Sequence, residues 1–324
     1  MFEATSTKRI FIQEVGPRDG FQIEDRFIPT ADKIELIDAL SLCGLAKIEV
    51  TSFTSPKAIP ALADADAVMR GIRRQPGVVY TALVPNLRGA ERALAAGTDE
   101  LNLVMSASET HNLLNLRMTR DQSVARLLEV VDLAKGSGAA LNVSLSTSFG
   151  CPMEGDVAEA EVLGLVERFL QQGVAGVILC DTTGMAHPRQ VASLCRSFLE
   201  RFPTAELTLH LHNTRGMGLA NALAALEVGV VRFDASLGGL GGCPYAPGAT
   251  GNVCTEDLVH MLQAEGHPVD VDLPRLLAAA RSLPELVGHD VPGQVLHAGQ
   301  SQDLHPVPAS LEDIRARAQA QVQA

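Results

Sequence analysis

The sequence predicts an α/β fold, a (β/α)₈ TIM barrel with additional C-terminal helices, and the order of its apolar segments is the main reason. Short apolar stretches alternate with helix-length amphipathic stretches almost from end to end. Eight such pairs in about 260 residues favour a closed barrel over an open, doubly wound sheet. The apolar stretches are near-continuous, which is typical of parallel strands that are covered on both faces.

The predicted strands are rich in Val, Ile and Leu and are bounded by turn residues. In chain order they are IFIQEV (10–15), KIEV (47–50), VVYTALV (78–84), ELNLVM (100–105), ALNVSLS (140–146), GVILC (176–180), ELTLHLH (206–212) and RFDAS (232–236). The predicted helices are at 31–43, 61–74, 87–97, 119–137, 157–172, 188–201, 215–228 and 255–265. Thr30 and Thr119 are predicted N-caps, and Gly44, Gly97 and Gly173 follow helix ends, where positive φ is favoured.

The length of 324 residues allows two domains, but barrels of this size often form one. No linker, low-complexity tract or tandem repeat interrupts the pattern. We therefore expect a single catalytic barrel domain over residues 1–324. Its barrel covers about 8–265, and a helical extension covers about 266–324, with DLPRLLAAARSL (272–283) as the clearest extra helix.

The charge balance excludes some classes of partner. A formal net charge of −12 argues against a nucleic-acid groove or an anionic membrane surface, although a local basic patch is compatible with it. No apolar leader, membrane-length apolar run or lipidation box is present, so we expect a cytoplasmic protein. The six cysteines form no CxxC pair and are expected to be reduced thiols.

Polar residues gather where the predicted strands end. In a TIM barrel the active site lies at the carboxyl ends of the strands. Glu14, Glu49 and Asp181 end the first, second and sixth strands, and His210 and His212 lie at the end of the seventh. This coincidence indicates an enzyme.

His210 and His212 are two residues apart on a strand, so both imidazoles project from one face. Such a pair is either a divalent-metal site or a pair of hydrogen-bonded polar histidines. The absence of HExxH excludes a zinc protease. Adding the oxygen donors of Asp19 and Asn252 gives a mixed nitrogen and oxygen set, which suits Mg²⁺, Mn²⁺ or Zn²⁺.

Two loops carry further candidate residues. In GPRDG (16–20), Arg18 offers a positive fork to an oxyanion beside Asp19, the alternative being a surface turn with a local ion pair. In GLGGCPYAPGATG (239–251), Cys243 lies on a glycine-rich loop, whereas the other five cysteines fall in or beside apolar runs. Backbone N–H groups and a nearby metal lower the pKa of such a thiol and suit it to proton transfer. The loop matches neither the Walker A nor the GxGxxG pattern.

Together these segments resemble the 3-hydroxy-3-methylglutaryl-CoA (HMG-CoA) lyase family over roughly residues 8 to 290. The most specific match is SLGGLGGCPYA (236–246), which continues through Gly251-Asn252 and TEDL (255–258). Supporting matches are PRDGFQ (17–22), Glu49 with TSF (51–53), SPK (55–57), SASE (106–109), GCP (150–152) and Asp181-Thr182.

The resemblance implies a TIM barrel that cleaves HMG-CoA by a retro-Claisen reaction into acetyl-CoA and acetoacetate. It implies a divalent cation, Mg²⁺ or Mn²⁺ with Zn²⁺ as an alternative, bound by Asp19, His210, His212 and Asn252. It further implies an acyl-CoA partner and a homodimer. The site residues implied as catalytic are Cys243, Arg18, His210, Asp181 and Glu49, and those implied as substrate-binding are Arg18 and Gln22.

The roles implied for these residues follow the reaction. Arg18 stabilises charge on the thioester oxygen, and Cys243 delivers a proton to the enolate carbon or shares proton transfer with His210. Glu49 and Asp181 are orienting or acid–base residues. The glycine-rich loop around Cys243 is expected to act as a flap that shields the enolate from water.

Departures from the family pattern concern the acyl group. Ser144 stands where a tyrosine is usual and Ile178 where a serine is usual, and both changes alter the volume and polarity of the pocket. Citramalyl-CoA, cleaved to acetyl-CoA and pyruvate, is therefore an alternative substrate. A Claisen-condensing acyltransferase of the isopropylmalate or homocitrate synthase type and a non-catalytic scaffold are the remaining alternatives. The absence of extra C-terminal domains disfavours the synthase, and the complete set of ligands disfavours the scaffold.

Overall fold

The chain folds into a closed barrel of eight parallel strands, seen in a computed structural model that describes residues 8–242 and 251–322. The strands are β1 Phe11–Glu14, β2 Lys47–Ser52, β3 Val79–Val84, β4 Glu100–Ser106, β5 Ala140–Ser146, β6 Gly176–Asp181, β7 Glu206–Leu211 and β8 Arg232–Ala235. Each strand pairs with the next along the chain, and β1 pairs with β8 to close the barrel. The predicted (β/α)₈ barrel with additional C-terminal helices is confirmed.

Helices follow the strands around the outside of the barrel and continue beyond it. They are α1 Thr30–Leu40, α2 Ala65–Gly71, α3 Leu87–Ala95, α4 Glu109–Leu116, α5 Arg120–Ala134, α6 Glu159–Leu170, α7 Pro188–Arg201, α8 Gly218–Glu227, α9 Thr255–Ala264, α10 Leu273–Ala280, α11 Leu283–Val287, α12 Gln294–Ala298 and α13 Leu311–Val322. None of these helices, within the residues described, is long and apolar enough to cross a membrane.

The helix boundaries differ from the predicted ones where a side chain or a short turn intervenes. Thr119 caps α5, and Gln122 completes a capping box. Thr30 is not an N-cap, because it lies inside α1 and its hydroxyl donates to Asp64. Helix α4, which the sequence did not predict, begins where the Ser108 side chain accepts from a backbone N–H in the first turn.

The inside of the barrel is polar, in contrast to the near-continuous apolar strands that the sequence favours. Gln13 on β1 donates to Thr208 on β7, two strands away past β8, rather than to a neighbouring strand. The Lys47 ammonium on β2 pairs with Glu100 on β4 in the same way. The apolar residues between them pack outward, under the helices, in one continuous core. The barrel interior is therefore filled with buried hydrogen-bonding side chains beneath the carboxyl ends of the strands.

The helical extension packs against the base of the glycine-rich loop. Gly293 donates its N–H to the carbonyl of Gly238, which follows β8. Gly238 has a φ of 65°, and a Cβ there would lie 2.7 Å from Leu283 and 3.1 Å from Val291. Only glycine fits this position, so the extension and the loop base form one packed unit.

Candidate active site

The turn after β1 places Arg18 and Asp19 at the barrel mouth. Gly16–Gly20 forms a single π-helical turn in which Arg18, Asp19 and Gly20 all donate their N–H groups to the Val15 carbonyl. Both the guanidinium and the carboxylate are buried. The predicted alternative, an exposed surface turn, is therefore not what the sequence forms.

Asp19 lies close to two histidines, His210 on β7 and His212 directly after that strand. Asp19, His210 and His212 each offer a donor atom, and these atoms lie within 4.8 Å of one another. The two Nε2 atoms are 3.2 Å apart, and Nε2 of His210 is 3.8 Å from Oδ2 of Asp19. Asn252 joins the group through its Nδ2, 2.7 Å from the same Oδ2. The structure therefore brings the four predicted metal ligands together.

The protonation states of His212 and Asp19 fit a divalent cation. Burial and the neighbouring His210 lower the pKa of His212 to about 3, so His212 is a neutral imidazole. Burial opposes the charge of Asp19, but Arg18 and His210 lower its pKa to about 2, so it is a carboxylate. Asp234 on β8 accepts from Nδ1 of His210 at 3.3 Å, which leaves the Nε2 of a neutral His210 as a lone-pair donor. Burial lowers the pKa of His210, yet Asp234 and Asp19 raise it above its usual range.

Lone pairs on both Nε2 atoms and on Asp19 thus converge on one small volume. A proton on His210 or a divalent cation relieves their repulsion. In addition, Nδ1 of His212 and Oδ1 of Asn252 are buried with no hydrogen-bond partner in the part of the chain that is described. An amide oxygen without a partner beside a carboxylate and two imidazoles is a donor set that Mg²⁺, Mn²⁺ and Zn²⁺ accept. The residues present therefore fit a divalent metal.

Arg18 is held by carboxylates on two sides. Its Nη1 contacts Asp19, and its Nε donates to Oε2 of Glu49 at 2.5 Å. Gln22 donates its side-chain amide to Oδ1 of Asp19 at 3.0 Å. Burial raises the pKa of Glu49 and Arg18 opposes that rise. Burial also opposes the charge of Arg18, but Asp19 and Glu49 raise its pKa, so Arg18 remains a cation.

Asp181 lies near the cluster without a direct bond to it among the described residues. Its Oδ1 accepts from the backbone N–H groups of Met185 and Ala186, and its Oδ2 is buried without a partner in that part of the chain. Burial raises the pKa of Asp181 to about 6, although the backbone bonds, His210 and Arg215 oppose the rise. An acid with this pKa exchanges a proton near neutral pH.

Cys243 lies outside the described residues, as do residues 244–250. The two ends of this loop contact each other closely, because a Cβ on Gly251 would lie 2.0 Å from the carbonyl oxygen of Gly239. Only a residue without a side chain permits that approach. The loop that carries the predicted thiol therefore starts and ends beside Asn252.

Two buried carboxyl groups fix the base of this loop. Glu14 accepts from the N–H groups of Gly16 (2.7 Å) and Leu237 (2.8 Å) and from the Thr255 hydroxyl (2.7 Å). Glu256 accepts from the N–H of Gly238 at 2.9 Å. Burial raises the pKa of Glu14 to about 8 and that of Glu256 to about 7. The sequence showed Glu14 only as a polar strand end, and no signal pointed to its partners.

A basic cleft of about 720 Å³ opens between the segment after β2 and the first turns of α3. Lys57, Arg88, Arg92 and Arg126 line it, with Glu129 as the acidic side chain among them. Arg92 is paired with Asp66, and Arg126 is paired with Glu129. The cleft is a local basic patch on a chain of net charge −12, the feature that a CoA-like ligand requires.

The fold and this site define a class: a (β/α)₈ barrel with a candidate divalent-metal centre at the carboxyl ends of its strands. The sequence profile of the HMGL-like family matches residues 9–283, and the chain belongs to that family. The resemblance predicted from the glycine-rich loop is thus confirmed.

Individual relatives extend over most of the chain. Hydroxymethylglutaryl-CoA lyase YngG of Bacillus subtilis is 47% identical over 294 residues, 91% of this chain and 98% of that protein. The (R)-citramalyl-CoA lyase of Chloroflexus aurantiacus is 41% identical over 300 residues, 90% of this chain and 95% of that protein. An HMG-CoA lyase from Acinetobacter baumannii, solved in complex with coenzyme A and 3-methylmalate, is 53% identical, with a TM-score of 0.89 over 92% of this chain and 98% of that one.

Proposed function

We propose that this protein is a divalent-metal-dependent carbon–carbon lyase that cleaves HMG-CoA, or a closely related 3-hydroxyacyl-CoA, into acetyl-CoA and acetoacetate. One observation carries the proposal: the buried group of Asp19, His210 and His212 lies directly beside the Arg18–Glu49 pair. A metal-binding set and a fixed cation side by side suit a reaction in which negative charge develops on two oxygens. The HMG-CoA lyases among the relatives support the same reaction.

The metal is proposed to be Mg²⁺ or Mn²⁺, with Zn²⁺ as the alternative, held by Asp19, His210, His212 and Asn252. When bound, it supplies Lewis acidity to the substrate hydroxyl and charge neutralisation to a carboxylate. Asp234 fixes the ring of His210 through Nδ1, so that the other nitrogen points into the site. The ion pairs and Gln22 fix the carboxylate of Asp19.

The reaction begins with loss of the proton from the C3 hydroxyl. The electron pair of that O–H bond forms the ketone, the C2–C3 bond breaks, and its electrons move to the thioester as an enolate. Arg18 is proposed to stabilise the enolate oxygen, since a cation held at two points needs no reorganisation as charge develops. Cys243 is proposed to donate a proton to C2, with His210 sharing in proton transfer. Asp181 and Glu49 are proposed to orient these groups or to accept the first proton.

The basic cleft is proposed to hold the phosphates of the CoA moiety. The segment that follows β2, the strand that carries Glu49, lines this cleft together with cationic side chains of α3 and α5. Phosphate oxygens pair well with guanidinium groups. The acyl-CoA would then extend from the cleft to the buried cluster.

We propose that the protein is a cytoplasmic homodimer. Each subunit is a single catalytic domain over residues 1–324, with the barrel at about 8–265 and the helical extension at about 266–324. The cysteines outside the undescribed loop are all free and buried, which agrees with a reducing compartment. Sedimentation velocity of the purified protein tests the dimer, and a monomer at assay concentration would contradict it.

Citramalyl-CoA is the second candidate substrate. The relative from Chloroflexus aurantiacus bears the name of that activity and is 41% identical over nearly the whole chain. Citramalyl-CoA carries its carboxylate directly on the carbinol carbon, one methylene shorter than HMG-CoA. One methylene changes discrimination by about 1–3 kcal/mol, so both esters can be cleaved at different rates.

A panel assay tests the function. HMG-CoA, citramalyl-CoA and longer C3-branched glutaryl-CoA esters are compared by kcat/KM, with Mg²⁺ or Mn²⁺ present and acetyl-CoA release as the readout. We expect HMG-CoA to be the best substrate and the Asp19→Asn variant to be inactive on all of them. Release of no acetyl-CoA from any ester by a folded, metal-loaded protein would contradict the proposal. Net condensation of acetyl-CoA with a 2-keto acid would identify the synthase alternative instead.

A further inference from the structure

A chain of three hydrogen bonds runs through the barrel interior and ends at Arg18. The Ser144 hydroxyl on β5 donates to Oδ1 of Asn102 on β4 at 2.9 Å. The Asn102 Nδ2 donates to Oε1 of Glu49 on β2 at 2.8 Å. The other oxygen of Glu49 accepts from Nε of Arg18. Ser144, Asn102 and Glu49 are all buried, so bulk solvent has little access to any link.

The chemistry of these side chains determines which group donates and which accepts in each hydrogen bond of the chain. An ionised carboxylate only accepts, so the NH₂ group of Asn102 must face Glu49. The amide oxygen then faces Ser144, and the hydroxyl must donate. Each group therefore has a single role, and the two oxygens of Glu49 are each committed to one donor.

A closed site surrounds the chain. Thr81, Ile178 and Asp234 line a small cavity together with Glu49 and Asn102, and the paired Lys47 and Glu100 line it as well. Thr81 bonds the backbone carbonyl of Glu100, not Glu49. Among the described residues, the side-chain hydrogen bonds to Glu49 are those from Arg18 and Asn102.

We propose that Asn102 and Ser144 are positioning residues for the reaction: they lock the Glu49 carboxylate in the rotamer that holds Arg18 over the site. This inference rests on the proposed lyase function in so far as it concerns catalysis. A carboxylate fixed at one oxygen only can rotate about its terminal bond, which has a broad, twofold torsional profile. The Arg18 guanidinium would then lose its fixed orientation, and a misplaced catalytic group slows the chemical step more than it weakens binding.

The first test removes the amide from the chain. Asn102→Leu has a similar volume and neither donor nor acceptor. We expect kcat to fall about tenfold to a hundredfold, with KM for the acyl-CoA changed by less than about threefold. Thr81→Val is the matched control, because it removes a hydroxyl from the same cavity without touching Glu49. Equal losses in the two variants would overturn the proposal.

The second test asks whether Asn102 acts through Glu49. In a Glu49→Gln background, adding Asn102→Leu should cost less than about threefold in kcat, because the carboxylate that it positions is gone. A merely structural role would give the same factor in both backgrounds.

Ser144→Thr and Ser144→Val form an isosteric pair that differs only in the hydroxyl. We expect the threonine variant to be faster than the valine variant by about threefold or more, and equal rates would overturn the role of Ser144.

A third measurement needs no substrate and so separates this proposal from the proposed function. Hydrogen exchange of the Arg18 Nε–H, assigned by its loss in Arg18→Met, is followed by ¹⁵N NMR. Asn102→Leu should speed that exchange at least about tenfold, and Thr81→Val should leave it unchanged. Unchanged exchange in Asn102→Leu would overturn the positioning role even if every acyl-CoA ester were cleaved. Faster exchange would support it even if none were.

Discussion

Replacing Glu14 by glutamine should make the protein less sensitive to alkaline pH. Glu14 is buried beneath the base of the glycine-rich loop, and burial raises its pKa from 4.5 to about 8. At pH 7 its carboxyl group is therefore mostly protonated in the folded protein. Glutamine is isosteric with that neutral form, and its oxygen can accept from the N–H groups of Gly16 and Leu237. Its NH₂ group, like the O–H of the neutral acid, can donate to the Thr255 oxygen once the Thr255 hydroxyl, which donates to the ionised carboxylate, turns its proton away.

The magnitude follows from linkage. Because the folded-state pKa is higher than the unfolded one, the contribution of Glu14 to stability is fully present below about pH 4.5. It is lost as the pH rises to about 8. Each pH unit in that window corresponds to about 1.4 kcal/mol. Between pH 6 and pH 9 the wild-type protein should thus lose about 3 kcal/mol through this group, and Glu14→Gln should not.

Urea unfolding at pH 6 and at pH 9 measures this difference directly. The free energy of unfolding of Glu14→Gln, relative to wild type, should rise by about 3 kcal/mol from the lower to the higher pH. Glu256, whose pKa is also raised, contributes to both proteins and largely cancels. Glu14→Ala is the control, because it leaves two buried N–H groups without an acceptor and should destabilise the protein at both pH values. Parallel pH dependences of wild type and Glu14→Gln would refute the reasoning.

Three further predictions concern the site. Chelation with EDTA should abolish cleavage, and Mg²⁺ or Mn²⁺ should restore it. The His212→Ala variant should stay inactive after metal addition. Full activity in metal-stripped protein would exclude the four-ligand site. Cys243→Ala should lower kcat at least about a hundredfold while circular dichroism and metal content stay unchanged, and an unimpaired variant would remove the thiol from the mechanism. Asp234→Asn should weaken divalent-metal affinity, measured by calorimetry, about tenfold to a hundredfold, because His210 loses the carboxylate that orients it. An affinity equal to that of the wild type would contradict the orienting role of Asp234.

The fold was predictable because the pattern that specifies it is local. Each strand carries its own apolar residues and each helix its own amphipathic face, so the boundaries of most elements differ by only a few residues from those predicted. The convergence of the candidate metal ligands was predictable for a related reason. Parallel strands in a barrel end on the same side, so Asp19, His210 and His212 had to converge once the barrel was assumed.

The support around these residues was not predictable, because it depends on side-chain contacts between different strands. Asp234 reaches His210 from the next strand, and Asn102 reaches Glu49 from two strands away. Such contacts depend on the stagger of the strands, which a single sequence does not specify. Helix α4 was missed because it is short and partly exposed, and its start depends on one capping side chain. The role of Cys243 stays a prediction, since that residue lies outside the described chain.

The closure of the barrel between its first and last strands has a consequence for how the protein is made. Asp19 follows β1, whereas Asn252, which contacts it, lies 233 positions later, beyond β8. During synthesis the chain emerges from its N-terminus, so the two halves of the candidate metal site meet only after the eighth strand has been added. Nascent chains that stop before Asn252 should bind the cation weakly or not at all. The shortest ribosome-stalled chain that binds the metal tightly would therefore show at which chain length the barrel closes.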